Sequence, residues 1–138
     1  MKILLVEDNP GDLRLMSEAF RESGFSPELF SVKDGLEALA FLRRQSPFDN
    51  AVKPDLMILD LNLPRKNGKE ILEDIKNDDN LKLIPVIVLT SSNDDSDIMN
   101  CYNLHANCYI TKPSDLDKFS QIVRIIEIFW FNTASLPR

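Results

Sequence analysis

Runs of unbroken apolar residues constrain this chain more than any other feature. Ile3-Leu4-Leu5-Val6, Leu56-Met57-Ile58-Leu59 and Val86-Ile87-Val88-Leu89 leave no polar position over the length of a strand. Strands with one wet face alternate, whereas strands apolar at every position have both faces covered, as in a parallel sheet packed between helices. Segments of helical period separate the runs, the pattern of βαβ units in an α/β fold. Each run, with Cys108-Tyr109-Ile110 as a fourth, ends in polar residues: Glu7-Asp8, Asp60, Thr90 and Thr111-Lys112. Parallel strands bring these ends to one edge of the sheet, outside which sites in open α/β sheets form.

The connecting segments carry helix signals. Asn9-Pro10 opens a helix whose Leu13, Met16 and Phe20 share a face, with Gly24 placed to stop it. Glu28 to Val32 reads as a further strand, and Gly35 to Arg44 as a helix anchored by Leu36, Leu39, Ala40 and Phe41. The polar, Pro-containing stretch from Gln45 to Pro54 is the longest loop and reads as a surface connection. Helices follow over Asn67 to Asn77, with Ile71, Leu72 and Ile75 at helical spacing, over Asp94 to Leu104, and over Leu116 to Asn132 behind Ser114-Asp115 as N-cap. Ser135 to Arg138 reads as a frayed end. Five strands and five helices in a single domain, residues 1–138, are expected.

The totals exclude several functions. A formal charge of -6 disfavours direct nucleic-acid binding, which depends on neutralising phosphates with Lys and Arg. No apolar stretch approaches the ~18 residues of a membrane span, and the N-terminus lacks a signal-peptide layout, so a cytoplasmic protein is expected. Cys101-x3-His105-x2-Cys108 offers only three ligands and Cys108 falls in a strand; free thiols are expected there, not zinc.

Glu7 and Asp8, brought beside Asp60, repel one another unless a cation intervenes, and a hard divalent ion with oxygen ligands removes the penalty. Mg²⁺ suits such a site because it takes one or two carboxylates and keeps positions for phosphate oxygens. A carboxylate can also be a nucleophile towards phosphorus. Asp60, at the end of a fully apolar run, is the candidate nucleophile, with Lys112 and the Thr90 hydroxyl placed to stabilise phosphoryl oxygens. Pro113 restricts the loop carrying the ammonium, with cis or trans left open.

In order along the chain, Val6-Glu7-Asp8-Asn9, Leu59-Asp60-Leu61-Asn62-Leu63-Pro64 with Gly68, Leu89-Thr90-Ser91 and Tyr109-Ile110-Thr111-Lys112-Pro113 resemble a response-regulator receiver domain of two-component signalling. The resemblance implies a doubly wound, flavodoxin-like five-stranded parallel sheet in the order 2-1-3-4-5 flanked by five helices. It implies Asp60 as phosphoacceptor from the phosphohistidine of a sensor histidine kinase, and Mg²⁺ bound by Asp8, Asp60 and the Asn62 backbone carbonyl, with Glu7 acting mainly through a water. It also implies Thr90 and Tyr109 as a switch pair. Such a protein is a switch, at most capable of slow Mg²⁺-dependent self-phosphorylation and self-dephosphorylation. His105-Ala106 departs from the Gly-Ala usual before the fifth strand, which bears on the local turn. The opening from Glu7 to Asp12, the insertion around Pro47 to Pro54 and the Phe-Trp-bearing last helix are similar to stand-alone response regulators of phytochromes, which implies a light-sensing kinase as partner.

In the last helix Phe119, Ile122, Val123, Ile126 and Trp130 form a stripe for the sheet, and Ile125, Ile128 and Phe131 fall outside it. A helix apolar around most of its circumference is buried on more than one side, so a homodimer surface is expected there. Two rivals differ in class. A phosphatase with an aspartyl-phosphate intermediate wants a second acid two residues after its nucleophile, where this chain has Asn62; a binding module with an unused pocket needs no phosphotransfer. Asn62 and Ser92 are expected to flank the path of a water attacking the phosphoryl group.

Overall fold

The computed structural model describes residues 1–137. Five parallel strands, β1 (Lys2–Val6), β2 (Glu28–Val32), β3 (Leu56–Leu59), β4 (Val86–Thr90) and β5 (Cys108–Thr111), lie in the order β2-β1-β3-β4-β5. Their crossovers are α1 (Pro10–Glu22), α2 (Gly35–Leu42), α3 (Gly68–Lys76) and α4 (Asp95–Asn103), and α5 (Leu116–Ile126) follows β5. This is the doubly wound α/β architecture expected.

Strand alternation sorts the core into two layers. Ile3, Leu5, Leu56, Ile58, Ile87 and Leu89 face Met16 and Phe20 of α1 and Phe119, Val123 and Ile126 of α5. Leu4, Val6, Met57, Leu59, Val86 and Val88 face α2 and α3, whose Ile71, Leu72 and Ile75 are fully buried. Apolar residues on both faces of the three central strands are therefore required, which is why those runs have no polar position. Cys101 and Cys108 sit in opposite layers, so the sheet separates the thiols and both are free.

Several local expectations need correction. Gly24 does not stop α1: Ser23 caps it, its N–H and its hydroxyl both reaching the Phe20 carbonyl, the hydroxyl at 2.7 Å. In α2 the buried arc is Ala38, Leu39, Phe41 and Leu42, and Leu36 is exposed because Asp34 as N-cap sets a phase that turns it outward. That helix also ends at Leu42, two residues early, and Arg44 takes a left-handed φ of 54°. The stretch after α2 is more than a surface connection, since Phe48 packs edge-on against Phe41 with ring centroids 5.5 Å apart.

The last helix is not uniform. After Ile126 the chain continues as a π-helical segment (Glu127–Thr133), with the Ala134 N–H donating to the Phe129 carbonyl five residues back at 2.7 Å. The wider turn shifts every later residue around the axis. Phe131, expected to lie away from the packed stripe, comes round against Phe25 (centroids 5.8 Å) and the layer that holds α1 and α5. Glu127, 1% exposed, is met by the Ser23 hydroxyl, tying the end of α1 to the last helix. The expected frayed end reaches Arg138, outside the described residues.

Candidate functional site

Ladder hydrogen bonds continue one residue beyond three strands and so fix the residues of the carboxyl edge. Glu7 N–H donates to the Val32 carbonyl at 3.1 Å, Asp60 N–H to Val6 at 3.0 Å, and Lys112 N–H to Thr90 at 2.7 Å. Behind Asp60, Gly68 opens α3 so close that a Cβ there would stand 2.4 Å from the Asp60 carbonyl oxygen. Any side chain at Gly68 would push the loop outward. The Asn67-Glu70 capping box starts the helix at that point.

Lys112 is the hub. Its ammonium donates to Glu7 Oε1 at 2.5 Å, Asp12 Oδ2 at 2.8 Å and Asp60 Oδ2 at 2.8 Å, with the side chain 7% exposed. Asp60 Oδ1 accepts the Asn62 N–H at 3.2 Å, and Glu7 Oε2 accepts the Asn9 N–H at 3.2 Å. Asp8 is exposed at the rim, yet one carboxylate oxygen from each of Glu7, Asp8 and Asp60 lies within 4.8 Å of the others. The only cis peptide among the described residues is Ser46-Pro47, so Lys112-Pro113 is trans.

Electrostatics divide the two buried acids. Burial, then the hydrogen bond and charge of Asp60, push Glu7 up to about 7. For Asp60 burial acts upward too, but the hydrogen bonds with Glu7 and from Lys112 outweigh it and hold the carboxyl below its usual range. Burial lowers Lys112, and its three carboxylates more than reverse that. Glu7, Asp12 and Asp60 thus share one ammonium, and Asp8 adds a further carboxylate beside Glu7 and Asp60. The excess negative charge, all on oxygen, fits a hard divalent cation.

Thr90 stands on the same edge, fully buried, and its hydroxyl is the one buried side-chain polar atom without a hydrogen-bond partner among the described residues. Such an orphan is costly unless a state exists that uses it. Tyr109, half-buried against the α3 side, donates its hydroxyl to the Ser92 carbonyl at 2.9 Å.

A family model for the response regulator receiver domain matches residues 3–124. The chain belongs to that family. Receiver-domain response regulators are phosphoacceptor switches rather than typical enzymes, and they bind a divalent metal. This receiver domain is 47% identical over 135 residues to response regulator Rcp1 of Synechocystis, covering 98% of this chain and 92% of that one. Among solved structures, the phosphorylated cyanobacterial phytochrome response regulator RcpA superposes with a TM-score of 0.95 at 52% identity, over 99% of this chain and 98% of that one. The Mn(2+)-bound form of Rcp1 superposes with a TM-score of 0.94 at 46% identity, over 99% of each chain.

Of the residues singled out from sequence, Glu7, Asp60 and Lys112 are brought into contact, with Asp8 and Asn62 at the rim and Thr90 beneath the same edge. Asp12 was missed as a Lys112 partner. Its signal was the position one turn into a helix that starts at the edge, where the Asn9 side chain takes the Asp12 N–H. The Ser92 hydroxyl donates to Asp97 at 2.5 Å. Ile125 and Ile128 are exposed on the last helix, apart from this site, whereas Phe131 is half-buried. No helix of the described residues is long and apolar enough to cross a membrane.

Proposed function

We propose that this receiver domain takes a phosphoryl group on Asp60 from the phosphohistidine of a sensor histidine kinase and changes conformation in response. One observation carries the reading: an ionised, buried Asp60 gripped by Lys112, on the same strand edge as an orphaned Thr90 hydroxyl. In the transfer an Asp60 oxygen bonds to phosphorus as the phosphorus–nitrogen bond of the donor breaks. Lys112 releases Asp60 to pair with a phosphoryl oxygen, and Thr90 donates to another, which gives its hydroxyl the partner it lacks. Mg²⁺ fits the carboxylates of Asp8 and Asp60, the Asn62 carbonyl and, through water, Glu7, and when bound it neutralises charge on the transferring group. As Thr90 moves to the phosphoryl group, the Tyr109 ring follows inward, so that phosphorylation shifts a pre-existing equilibrium.

The donor proposed is a cytoplasmic phytochrome kinase, supported by the likeness to RcpA and Rcp1. Self-association through the last helix is supported by exposed Ile125, Ile128 and Phe129. Light scattering of an Ile125→Glu/Ile128→Glu variant checks this; the variant should be monomeric where the parent is dimeric.

Acetyl phosphate labelling tests the central reading. Asp60→Asn should abolish acid-labile label, and undiminished labelling of that variant would overturn the assignment. A single turnover with slow loss of label is expected; steady hydrolysis of p-nitrophenyl phosphate would favour a phosphatase.

A further inference from the structure

An ammonium has three N–H donors and no more, and Lys112 uses all three, on Glu7, Asp12 and Asp60. To donate to a phosphoryl oxygen it must let one partner go, and the transfer described above releases Asp60. Two anchors remain. They differ in kind: Glu7 belongs with Asp8 and Asp60 to the group of carboxylates that fits a cation, and Asp12 stands outside that group. Asp12 also comes from another element, the first turn of α1, and its contact joins that helix to the loop after β5.

The place of Asp12 is fixed by its backbone. As N-cap of α1 the Asn9 side chain accepts the Asp12 N–H at 3.0 Å, and Pro10 fills the first helical position. Lys112 has a fixed backbone too, its N–H on the Thr90 carbonyl at 2.7 Å, but its side chain is long and loses much rotamer freedom when ordered. A carboxylate that orders the ammonium beforehand removes that cost from the binding of the phosphoryl group. The charge of Asp12 acts the other way. Asp12 and Asp60 each lie 2.8 Å from the same ammonium, so Asp12 repels any anion bound to Asp60. The two effects have opposite signs, and binding measurements can tell them apart.

We propose that Asp12 is a positioning residue for the phosphotransfer: it holds the Lys112 ammonium in the cleft once Asp60 is released, and so aims it at the phosphoryl group. The proposal rests on the function proposed above. The gain from aiming the ammonium exceeds the repulsion between Asp12 and the phosphoryl oxygens. With the Asp12 side chain 30% exposed, the pair is partly screened by solvent, and its loss is worth a modest factor.

Beryllofluoride, an anionic mimic of the phosphoryl group, tests this on the full chain with Mg²⁺ saturating each protein, comparing the parent with Asp12→Asn and Asp12→Ala. Both variants should bind it roughly three- to tenfold more weakly, the worth of a partly exposed ion pair with its hydrogen bond. Acetyl phosphate should label Asp60 more slowly by a similar factor. In the liganded protein the Lys112 ammonium protons should exchange with water faster in the variants than in the parent. A role as charge alone predicts the reverse, since removing an anion beside an anion site tightens binding. Unchanged or tighter beryllofluoride binding in Asp12→Asn would therefore overturn the proposal, whatever the melting temperature, because a merely structural role moves stability and leaves this affinity alone. Should Asp12→Ala fray the start of α1, Asp12→Asn, which keeps the shape of the side chain, decides. Failure of the underlying reading looks different: the parent itself would show no saturable binding that Asp60→Asn removes.

Discussion

Lys112 and Lys76 each donate to three oxygens, at opposite ends of one sheet. At the carboxyl edge the acceptors are Glu7, Asp12 and Asp60; at the amino edge they are the Lys82 and Ile84 carbonyls and the Asn107 side chain, which also takes the Val86 N–H. Burial pushes both ammonium groups down. At Lys76 no anion opposes it and the value stays low, while at Lys112 the carboxylates drive it up. A grip on neutral dipoles is complete as it stands. A grip on more anions than one cation can neutralise is open to a further cation and can change partners when a phosphoryl group arrives. In this molecule stability is built where the contacts balance, and the chemistry lies where they do not.

Removing each lysine breaks the comparison most directly. Lys112→Met leaves Glu7 and Asp60 buried together without their cation, so urea denaturation in chelator should show a loss of about 3–5 kcal/mol. Millimolar Mg²⁺ should return part of it, since a dication replaces the missing charge. A variant as stable as its parent without metal would mean that the acids are relieved some other way. Lys76→Met should cost less, about 2 kcal/mol for hydrogen bonds from a charged group to neutral acceptors. Its loss should be the same with and without Mg²⁺, and beryllofluoride affinity should be unchanged.

The charged end should also make stability depend on pH in an unusual direction. A folded-state value of about 7 for Glu7, against an ordinary 4.5, means that the folded protein holds this proton more tightly than the unfolded chain. The stabilisation is complete below the unfolded value and disappears as pH rises through the folded one. Asp60 runs the other way: its value is depressed below 3.8, so its contribution is present above that pH and lost only under more acid conditions, outside the Glu7 window. Metal-free protein should therefore lose about 2 kcal/mol between pH 5 and pH 8. Glu7→Gln should flatten the slope. Saturating Mg²⁺ should reverse it, because binding the ion releases that proton.

Both ends of the sheet are written in the sequence, but to different degrees. Apolar runs without alternation specify a doubly covered parallel sheet, and its topology delivers Glu7, Asp60, Thr90 and Lys112 to one edge whatever the details of their rotamers. That is why the site was legible from polar residues at strand ends. Asp12 and Asp97 were not, since each is an acid in the first turn of a helix, where acids are common for reasons of the helix dipole alone. The π-helical turn after Ile126 was hidden as well. An apolar stretch that runs around the whole helix carries no phase, so nothing in Ile128 to Phe131 announces that the turn has widened. Lys76 was equally silent, because its acceptors are mostly backbone carbonyls, which every residue possesses.

The smallest expected effect lies at the balanced end, in the turn that brings Asn107 to Lys76. His105 follows α4 with φ at 70°, its N–H donating to the Tyr102 carbonyl at 3.0 Å and the Ala106 N–H to Cys101 at 3.0 Å. These are the paired bonds of a Schellman motif, whose left-handed residue is usually glycine. A side chain in that conformation strains the backbone, while glycine there gives up unfolded-chain entropy, so the two effects partly offset. His105→Gly should therefore stabilise the protein by roughly 1 kcal/mol, or about 3 °C in a thermal melt. Because the turn serves Lys76 and not Lys112, the gain should be the same with and without Mg²⁺. A gain that appears only with metal would mean that the two ends of the sheet are coupled, and that the balanced end takes part in the switch.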